Sequence, residues 1–318
     1  MNIVVLDGYT LNPGDLSWIG LEELGNLKVY DRTTPDQVYE RSADAEVVLT
    51  NKTILSDNIL KRLNRLKYVG VLATGYNVIN VDTAKKLGIV VTNIPAYSTD
   101  SVAQVTFALI LELCNHVKIH SDSVMRGKWS ASIDFTYHLS PLIELSSKTI
   151  GIIGYGNIGK KVCEIALAFG MKVKVYERNN KGRSERENVT FVKINDLFSS
   201  SDFVSIHCPL NEDSIGLINQ QSLKLMKRTS FLINTSRGPI VMENDLADAL
   251  NDGIIAGAGL DVLAEEPPPP DNPLFKARNC IITPHIAWAT FEARSRLMDI
   301  AAGNLRSFIS GKPGSVVN

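Results

Sequence analysis

Near the middle of the chain stands Thr149-Ile150-Gly151-Ile152-Ile153-Gly154-Tyr155-Gly156-Asn157-Ile158-Gly159. A strand-length apolar run leads into glycines at GxGxxG spacing, and the helical pattern Lys160–Phe169 follows directly. In such a strand–turn–helix unit, Gly154 permits the tight turn, Gly156 lets the backbone approach a pyrophosphate, and Gly159 lets the helix pack on the strand. Three glycines alone also fit a turn with a packing contact. The flanking strand and helix favour a dinucleotide site.

The next apolar run, Lys172–Tyr176, ends at Glu177, which lies 18 residues after Gly159. An acid at that place hydrogen-bonds the ribose hydroxyls of the adenosine and repels a 2′-phosphate. Arg178 follows it, and an arginine beside the strand end can instead pair with a 2′-phosphate. The pattern therefore favours NAD, with NADP as the less favoured alternative.

Short apolar runs alternate with helix-like segments along the whole chain, in two series. The first series consists of Ile3–Leu6, Val47–Leu49, Tyr68–Leu72 and Ile89–Val91. After Thr149–Ile153, the second continues with Lys172–Tyr176, Thr190–Val192, Phe203–Ile206, Ser230–Ile233, Ile254–Leu260 and Cys280–Thr283. Continuous Val/Ile runs separated by helices are typical of buried parallel strands. We predict an α/β protein with two Rossmann-like or flavodoxin-like parallel-sheet domains and a cleft between them.

The two series are joined by Ser98-Thr99-Asp100, good N-cap residues, and a long apolar-periodic helix through about His120. The last helical pattern, Thr290 to Ile309, is expected to cross back and complete the first domain. This predicts a discontinuous substrate domain, residues 1–98 and 287–318, and a nucleotide-binding domain at residues 99–286.

Composition excludes several classes of protein. The 318 residues are 44% hydrophobic and 21% charged, and 33 basic against 34 acidic residues give a net charge of -1, so nothing indicates nucleic acid or anionic lipid as a partner. The most apolar long stretch falls short of the roughly 20 residues of a membrane span. The four scattered cysteines suggest neither a metal site nor a disulfide framework. We expect no signal peptide and a cytoplasmic protein.

Polar residues follow three strands of the second series. Arg237 comes after Ser230–Ile233, Asp261 and Glu266 after Ile254–Leu260, and His285 after Cys280–Thr283. Ligands of parallel sheets bind outside the carboxyl ends of the strands. A guanidinium holds an anionic substrate, and a histidine paired with a carboxylate transfers a proton near neutral pH. Each residue alone has an ordinary structural explanation, but together, beside a cofactor motif, they favour an active site.

The order and spacing of several motifs now show a resemblance over nearly the whole chain. They are Ala73-Thr74-Gly75-Tyr76-Asn77, the glycine motif, His207-Cys208-Pro209-Leu210, Asn234-Thr235-Ser236-Arg237-Gly238, Gly259-Leu260-Asp261-Val262 with Glu266-Pro267, and Thr283-Pro284-His285-Ile286-Ala287. The chain resembles the D-isomer-specific 2-hydroxyacid dehydrogenases, and within them the glycerate dehydrogenase or hydroxypyruvate reductase group.

The resemblance implies a role for each matching residue. Arg237 would hold the substrate carboxylate, His285 would be the acid/base, and Glu266 would raise the basicity of His285. The backbone amides of Thr74 and Gly75 would face the substrate carboxylate. The remaining implied cofactor contacts are Thr74, Asn157, Ile158, Cys208, Pro209, Thr235, Ser236, His285 and Trp288, with Asp261 on the nicotinamide carboxamide. Glu177 departs from the family's usual Asp, and His207 becomes a cofactor-loop position.

The resemblance also bears on the substrate. In phosphoglycerate dehydrogenases of this family, basic residues stand at the positions of Thr50 and Val71, so phosphorylated acids should fit poorly here. Hydroxypyruvate is expected, with glyoxylate weaker. Lys52 is a nearby cation for a substrate hydroxyl or carboxylate, or else an ordinary exposed lysine. The alternatives are a phosphoglycerate dehydrogenase, a corepressor-like NAD-sensing scaffold and a formate dehydrogenase. Glu266 argues against the last of these.

The segment Ile119 to Leu145 carries Trp129, Phe135 and Tyr137 in an irregular stretch. Exposed aromatic residues of this kind are typical of interfaces. The resemblance implies that this arm embraces a second copy of the chain, so we predict a homodimer. The alternative is a folded surface loop.

Overall fold

Residues 1–178 and 187–318 are described by the computed structural model of the chain. They divide into a first unit, Met1–Ser98 with Ala289–Asn318, and a second unit, Thr99–Trp288. The sequence predicts that the chain leaves the nucleotide-binding domain after residue 286. In the structure the second unit ends two residues later, at Trp288. Ile286 and Ala287 belong with the second unit because their backbone N–H groups donate to the Asp261 carboxylate.

The first unit is built on a five-stranded parallel sheet. Its elements are β1 (Asn2–Val5), α1 (Ile19–Glu22), β2 (Asn26–Val29), α2 (Val38–Ser42), β3 (Val47–Thr50), α3 (Asp57–Arg62), β4 (Tyr68–Val71), α4 (Val81–Lys86) and β5 (Val90–Thr92). The strand order is β2-β1-β3-β4-β5. The apolar runs of β3 and β4 are buried along their whole length, as central strands between helices require.

Strand β2 is absent from the sequence-based prediction. Its residues alternate between half-buried and exposed, and it pairs with β1 alone at the edge of the sheet. An edge strand covered on one face needs no continuous apolar run, so apolar runs alone do not reveal it.

The second unit carries a seven-stranded parallel sheet in the order β12-β11-β10-β9-β6-β7-β8. Its elements are α5 (Thr99–Asn115), α6 (Val117–Met125), β6 (Thr149–Ile153), α7 (Asn157–Ala168), β7 (Lys172–Tyr176), β8 (Val189–Phe191), α8 (Ile194–Ser200), β9 (Phe203–Ile206), α9 (Gln220–Leu225), β10 (Phe231–Asn234), α10 (Glu243–Asn251), β11 (Gly257–Leu260) and β12 (Cys280–Ile282). Two apolar clusters fill its interior, one of them built around α5, α7 and β6.

The predicted helix from Ser98 to about His120 is wrong in its continuity. Helix α5 ends at Asn115, His116 adopts the left-handed conformation with φ 48°, and α6 starts at Val117. A left-handed residue cannot propagate a right-handed helix, so the chain bends there by 57°. Among the described residues, no single helix is long and apolar enough to cross a membrane; α5 and α6 meet that criterion only as a bent pair, and α5 is largely buried.

The last helix, α11 (Phe291–Ile309), packs in the first unit against β4 and α1. The guanidinium of Arg294, which is 8% exposed, donates to both carboxylate oxygens of Asp15 at 2.8 and 2.6 Å and to the carbonyl of Leu11 at 2.9 Å. The final residues run beside β5, where the Val317 N–H donates to the Val91 carbonyl at 2.9 Å. The C-terminal segment is therefore an integral part of the first unit.

Candidate active site

The four polar residues that follow β10, β11 and β12 lie at one edge of the second sheet. These strands are parallel and adjacent, in the order β12-β11-β10, so their carboxyl ends meet. The edge thereby collects Arg237, Asp261, Glu266 and His285, residues that are up to 48 positions apart in the chain. The carboxyl edge is where parallel sheets bind their ligands.

His285 and Glu266 form a directly hydrogen-bonded pair. Nδ1 of His285 lies 2.6 Å from Oε2 of Glu266, and Oε1 of the same carboxylate accepts from the Leu263 N–H at 3.2 Å. The two side chains are 26% and 34% exposed. Because an ionised carboxylate only accepts, the Nδ1 proton points to Glu266, and Nε2 is the nitrogen left for chemistry. Within residues 1–178 and 187–318, Nε2 has no hydrogen-bond partner.

The backbone of His285 is held by Asp261, which is 1% exposed. The Asp261 carboxylate accepts from Thr283 Oγ1 at 2.5 Å, from Ile286 N at 2.9 Å and from Ala287 N at 2.8 Å. The His285 N–H donates to the Asp261 carbonyl at 2.8 Å, and His285 has φ 52°. These bonds keep the loop in a conformation that L-residues otherwise avoid. The carboxamide contact implied for Asp261 stays a prediction.

Arg237 sits in the turn after β10, and its side chain is exposed. Its Nη1 donates to the Ser236 carbonyl at 2.7 Å, while Nδ2 of Asn234 donates to the Arg237 carbonyl at 3.0 Å and fixes the turn. In the part of the chain that the structure describes, no carboxylate pairs with this guanidinium. It is therefore available for the bidentate pairing with a carboxylate that arginine makes well.

Gly238 joins the Arg237 turn to the Glu266 loop. A Cβ at Gly238 would lie 1.9 Å from the carbonyl carbon of Leu263, so the two backbones are in close contact. The motif contains Gly238, but the sequence pattern alone assigned it no role. The signal that points to it is a glycine directly after a polar residue at a strand end, which indicates close backbone approach.

The glycine motif has the geometry of a nucleotide-binding turn. Gly154 has φ 95°, and a Cβ there would lie 2.7 Å from the Cys208 nitrogen; a Cβ at Gly159 would lie 2.1 Å from the Gly154 carbonyl oxygen. At Gly156 a Cβ would meet no protein atom within 4 Å among the described residues. The first and third glycines are thus required by packing, whereas the second leaves open space before α7, beside Asn157 and Ile158. This arrangement fits a dinucleotide phosphate at the helix N-terminus.

Replacing these glycines by alanine should separate folding from cofactor binding. We expect Gly156→Ala to keep the thermal midpoint within about 2 °C and to weaken NADH binding at least about tenfold, because its methyl group enters the phosphate space. Gly159→Ala, the matched control, should lower the midpoint by several degrees. Differential scanning fluorimetry and NADH fluorescence titration measure both; unchanged NADH binding in Gly156→Ala would contradict the assignment.

The other predicted cofactor residues line neighbouring strand ends. Cys208 and Pro209 follow β9, and the Cys208 carbonyl accepts from Ser236 Oγ at 2.6 Å. Thr235 is buried, with its hydroxyl 3.0 Å from that of Thr106. Trp288 directly follows Ala287 and is half-buried. All of these belong to the second unit.

Glu177 follows β7 and is half-buried, and Arg178 beside it is engaged by the loop after β9. Nη2 of Arg178 lies 2.5 Å from Oδ2 of Asp213 and 3.3 Å from Oδ1 of Asn211. Arg178, the arginine that could pair with a 2′-phosphate, is thus paired with the carboxylate of Asp213. The placement of both residues agrees with the preference for NAD.

His207 is not built for proton transfer. Its Nε2 lies 2.8 Å from Ser205 Oγ, and burial lowers the pKa of its imidazole to about 3. The ring is therefore neutral at physiological pH. In residues 1–178 and 187–318, no three His, Cys, Asp or Glu side chains are grouped so that they could hold a metal ion.

The predicted substrate residues of the first unit lie at the carboxyl edge of its own sheet. Lys52 is exposed in the loop after β3, and Thr74 and Gly75 are in the loop after β4. Thr74 Oγ1 donates to the Ile94 carbonyl at 2.8 Å, and Asn93 Nδ2 donates to the Thr74 carbonyl at 2.8 Å. The first sheet thus presents an ordered polar edge of its own.

Comparison with known proteins shows the family of the chain. Residues 107–287 match the family model described as the D-isomer specific 2-hydroxyacid dehydrogenase, NAD binding domain. A hydroxypyruvate reductase of Blautia hydrogenotrophica is 50% identical, with 100% of both chains covered, and a glycerate dehydrogenase of Methylorubrum extorquens is 39% identical over 91% of each. A solved acyclic imino acid reductase (Bsp5), in complex with NADPH and D-Arg, is 32% identical with a TM-score of 0.86 over 100% of both chains.

The fold and the matched domain define an NAD-binding oxidoreductase. The chain belongs to the D-isomer-specific 2-hydroxyacid dehydrogenase family, so both parallel-sheet units and the NAD-binding domain are those of a dehydrogenase. The sequence-based predictions of the family, of two parallel-sheet α/β domains and of NAD as the cofactor are confirmed. The roles of individual residues are proposals.

Proposed function

We propose that the enzyme reduces hydroxypyruvate to D-glycerate with NADH, using Arg237, Glu266 and His285. The observation that carries the proposal is the 2.6 Å pair between His285 and Glu266 at the sheet edge that also bears the exposed guanidinium of Arg237. The hydroxypyruvate reductase of Blautia hydrogenotrophica, 50% identical over the whole chain, supports this substrate.

Different residues of the chain bind the substrate and transfer the proton. Arg237 holds the substrate carboxylate through paired N–H donors and polarises the adjacent carbonyl. His285 donates its Nε2 proton to the carbonyl oxygen, and Glu266 stabilises the imidazolium before that step. NADH, when bound, supplies the hydride that reaches C2 of the keto acid. In the first unit, Thr74 and Gly75 offer backbone amides to the substrate carboxylate.

A phosphorylated substrate has little support from this chain. Thr50 and Val71 are both 0% exposed, and the Thr50 hydroxyl donates to the Thr53 carbonyl at 2.8 Å. Neither residue supplies a cation, so these two positions offer no charged partner to a phosphate dianion. The phosphoglycerate dehydrogenase alternative is therefore disfavoured.

The test is a panel of substrates with NADH and with NADPH, followed at the nicotinamide absorbance. We expect the highest kcat/KM for hydroxypyruvate with NADH, a lower value for glyoxylate, and poor turnover of pyruvate, phenylpyruvate and 3-phosphohydroxypyruvate. A preference for the phosphorylated acid would overturn the substrate assignment. NADH binding with negligible turnover of every acid would instead support the corepressor-like scaffold.

The change Glu266→Gln should shift the pH dependence of reduction. Reduction requires the imidazolium form of His285, which the Glu266 carboxylate stabilises at 2.6 Å. Without that charge the imidazolium loses its ionic partner, so kcat/KM should fall, with a milder defect at low pH. Initial rates across the acid-to-alkaline range measure this. A profile that coincides with that of the wild type would remove Glu266 from the mechanism.

We also propose that the chain forms a homodimer through the segment after α6. Ile133 and Phe135 are 99% and 88% exposed, yet the segment is ordered by a bond from Trp129 Nε1 to the Phe135 carbonyl at 3.0 Å. Exposed apolar side chains on an ordered segment favour an interface. Light scattering should give twice the mass of 34.9 kDa, and an active monomer at working concentration would refute it.

We propose that the enzyme works in the cytoplasm. Its four cysteines, all within the described residues, form no disulfide, as is usual for proteins of a reducing compartment. Activity measured in separated cell fractions tests this; a majority outside the cytoplasmic fraction would contradict it.

A further inference from the structure

The loop after β3 is wrapped around the carboxylate of Asp7. Three consecutive backbone N–H groups converge on it: Asn51 donates to Oδ1 at 2.8 Å, and Lys52 and Thr53 donate to Oδ2 at 2.6 and 2.8 Å. Hydrogen bonds to an ionised acceptor are about twice as strong as neutral ones. The curvature of residues 51–53 therefore depends on the charge of Asp7, a residue that no sequence motif singled out.

Asp7 and this loop belong to the ligand edge of the first sheet. Asp7 follows β1, and β3 lies between β1 and β4 in the sheet. The Leu72 N–H donates to the Thr50 carbonyl at 2.8 Å, so the end of β3 is tied to the segment that leads into Thr74 and Gly75. The loop shaped by Asp7 is thus the immediate neighbour of the loop proposed to bind the substrate carboxylate.

Two side chains of the loop differ in what they offer a ligand. Asn51 is 6% exposed, and its Nδ2 lies 3.3 Å from Thr10 Oγ1, so it is committed to the protein. Lys52 is exposed, and across the described part of the chain its ammonium pairs with no acid. Its backbone, by contrast, is fixed by the 2.6 Å bond to Asp7. A flexible cation is therefore carried on a rigid backbone.

We propose that Asp7 is a positioning residue that holds the Asn51–Thr53 loop so that Lys52 binds the C3 hydroxyl of the keto acid and favours hydroxypyruvate over glyoxylate. This rests on the proposed function, in which the backbone amides of Thr74 and Gly75 face the substrate carboxylate. The adjacent Asn51–Thr53 loop then binds the C3 end of the keto acid. Hydroxypyruvate carries a hydroxymethyl group where glyoxylate carries hydrogen, so the ratio of the two activities reports the contact directly.

Asparagine at position 7 would keep the shape of the side chain and lose its function. One of its terminal atoms is an NH₂ donor, which would face a backbone N–H in place of an acceptor. The loop must then rearrange, because two donors that face each other cannot form a hydrogen bond. Asp7→Asn therefore tests the charge and the acceptor pattern without making a cavity.

The experiment measures kcat and KM for both substrates in Asp7→Asn, Lys52→Gln and their double variant, with NADH binding followed by fluorescence. We expect each single change to lower kcat/KM for hydroxypyruvate about tenfold, mainly through KM, and that for glyoxylate less than about twofold. The double variant should lose little more than either single one, because both remove the same contact. NADH affinity should stay unchanged.

Asp15→Asn is the matched control, since Asp15 is a carboxylate of the same unit that binds Arg294 instead of the loop. A merely structural defect would lower both substrates equally, as we expect for this control. Equal losses in Asp7→Asn, or additive losses in the double variant, would overturn the proposal. If Asp7→Asn does not fold, an unaltered substrate ratio in Lys52→Gln overturns it. A wild type that ignores hydroxypyruvate would refute the proposed function instead.

Discussion

Replacement of His285 by alanine is expected to lower kcat for keto-acid reduction by about 1,000-fold. The imidazole is the proposed proton donor at the sheet edge, and its Nδ1 is already committed to Glu266 at 2.6 Å. Without it, the carbonyl oxygen must take its proton from water while the hydride arrives. Single-turnover measurements at saturating NADH isolate this chemical step.

The control for His285→Ala is NADH binding. We expect the dissociation constant to change by less than about tenfold, far less than kcat, because the loop backbone that carries the cofactor contacts is held by Asp261 through Ile286 and Ala287. Activity within about tenfold of the wild type would show that another group supplies the proton.

Replacement of Arg237 by alanine has the second large effect. We expect kcat/KM to fall by about 1,000-fold or more, with both a higher KM and a lower kcat, because the guanidinium anchors the carboxylate and polarises the carbonyl. Its side chain pairs with no carboxylate among the described residues, so its removal breaks no ion pair of that part of the fold. The thermal midpoint should therefore stay near that of the wild type.

Arg237→Lys distinguishes charge from geometry. A lysine restores the positive charge but presents a single ammonium in place of the planar fork, so we expect partial recovery of KM and little recovery of kcat. Steady-state kinetics with hydroxypyruvate measure both parameters. Full recovery by lysine would reduce the role of Arg237 to charge alone.

Several strands of the second sheet were predictable because β6, β9 and β10 are buried along nearly their whole length. β6, β7 and β9 have the bounds that their apolar runs predict, and glycine spacing located the turn after β6. The predicted run Ile254–Leu260 is longer than β11, which starts at Gly257. Ile254 and Ile255 belong to the connection after α10, where burial does not require pairing. An apolar run indicates that a segment is buried, but it does not show whether the backbone of that segment pairs with a neighbouring strand.

Other features lie beyond what a single sequence discloses. The break at His116 depends on one residue with φ 48°, and nothing in the surrounding helical pattern signals it. The hydrogen bonds from the backbone of residues 51–53 to the Asp7 carboxylate join groups that are 44 to 46 positions apart. The contact of Gly238 with Leu263 is likewise tertiary. Composition showed which chemistry was possible, and tertiary contacts determine which groups are aligned for it.

The most direct test of the proposed reaction is a product analysis of the wild-type enzyme with hydroxypyruvate and NADH. NADH oxidation is followed at the nicotinamide absorbance, and the glycerate is resolved by chiral chromatography. We expect one D-glycerate formed for each NADH oxidised, with a rate that His285→Ala lowers by about 1,000-fold. Formation of L-glycerate, or NADH binding without any glycerate, would contradict it.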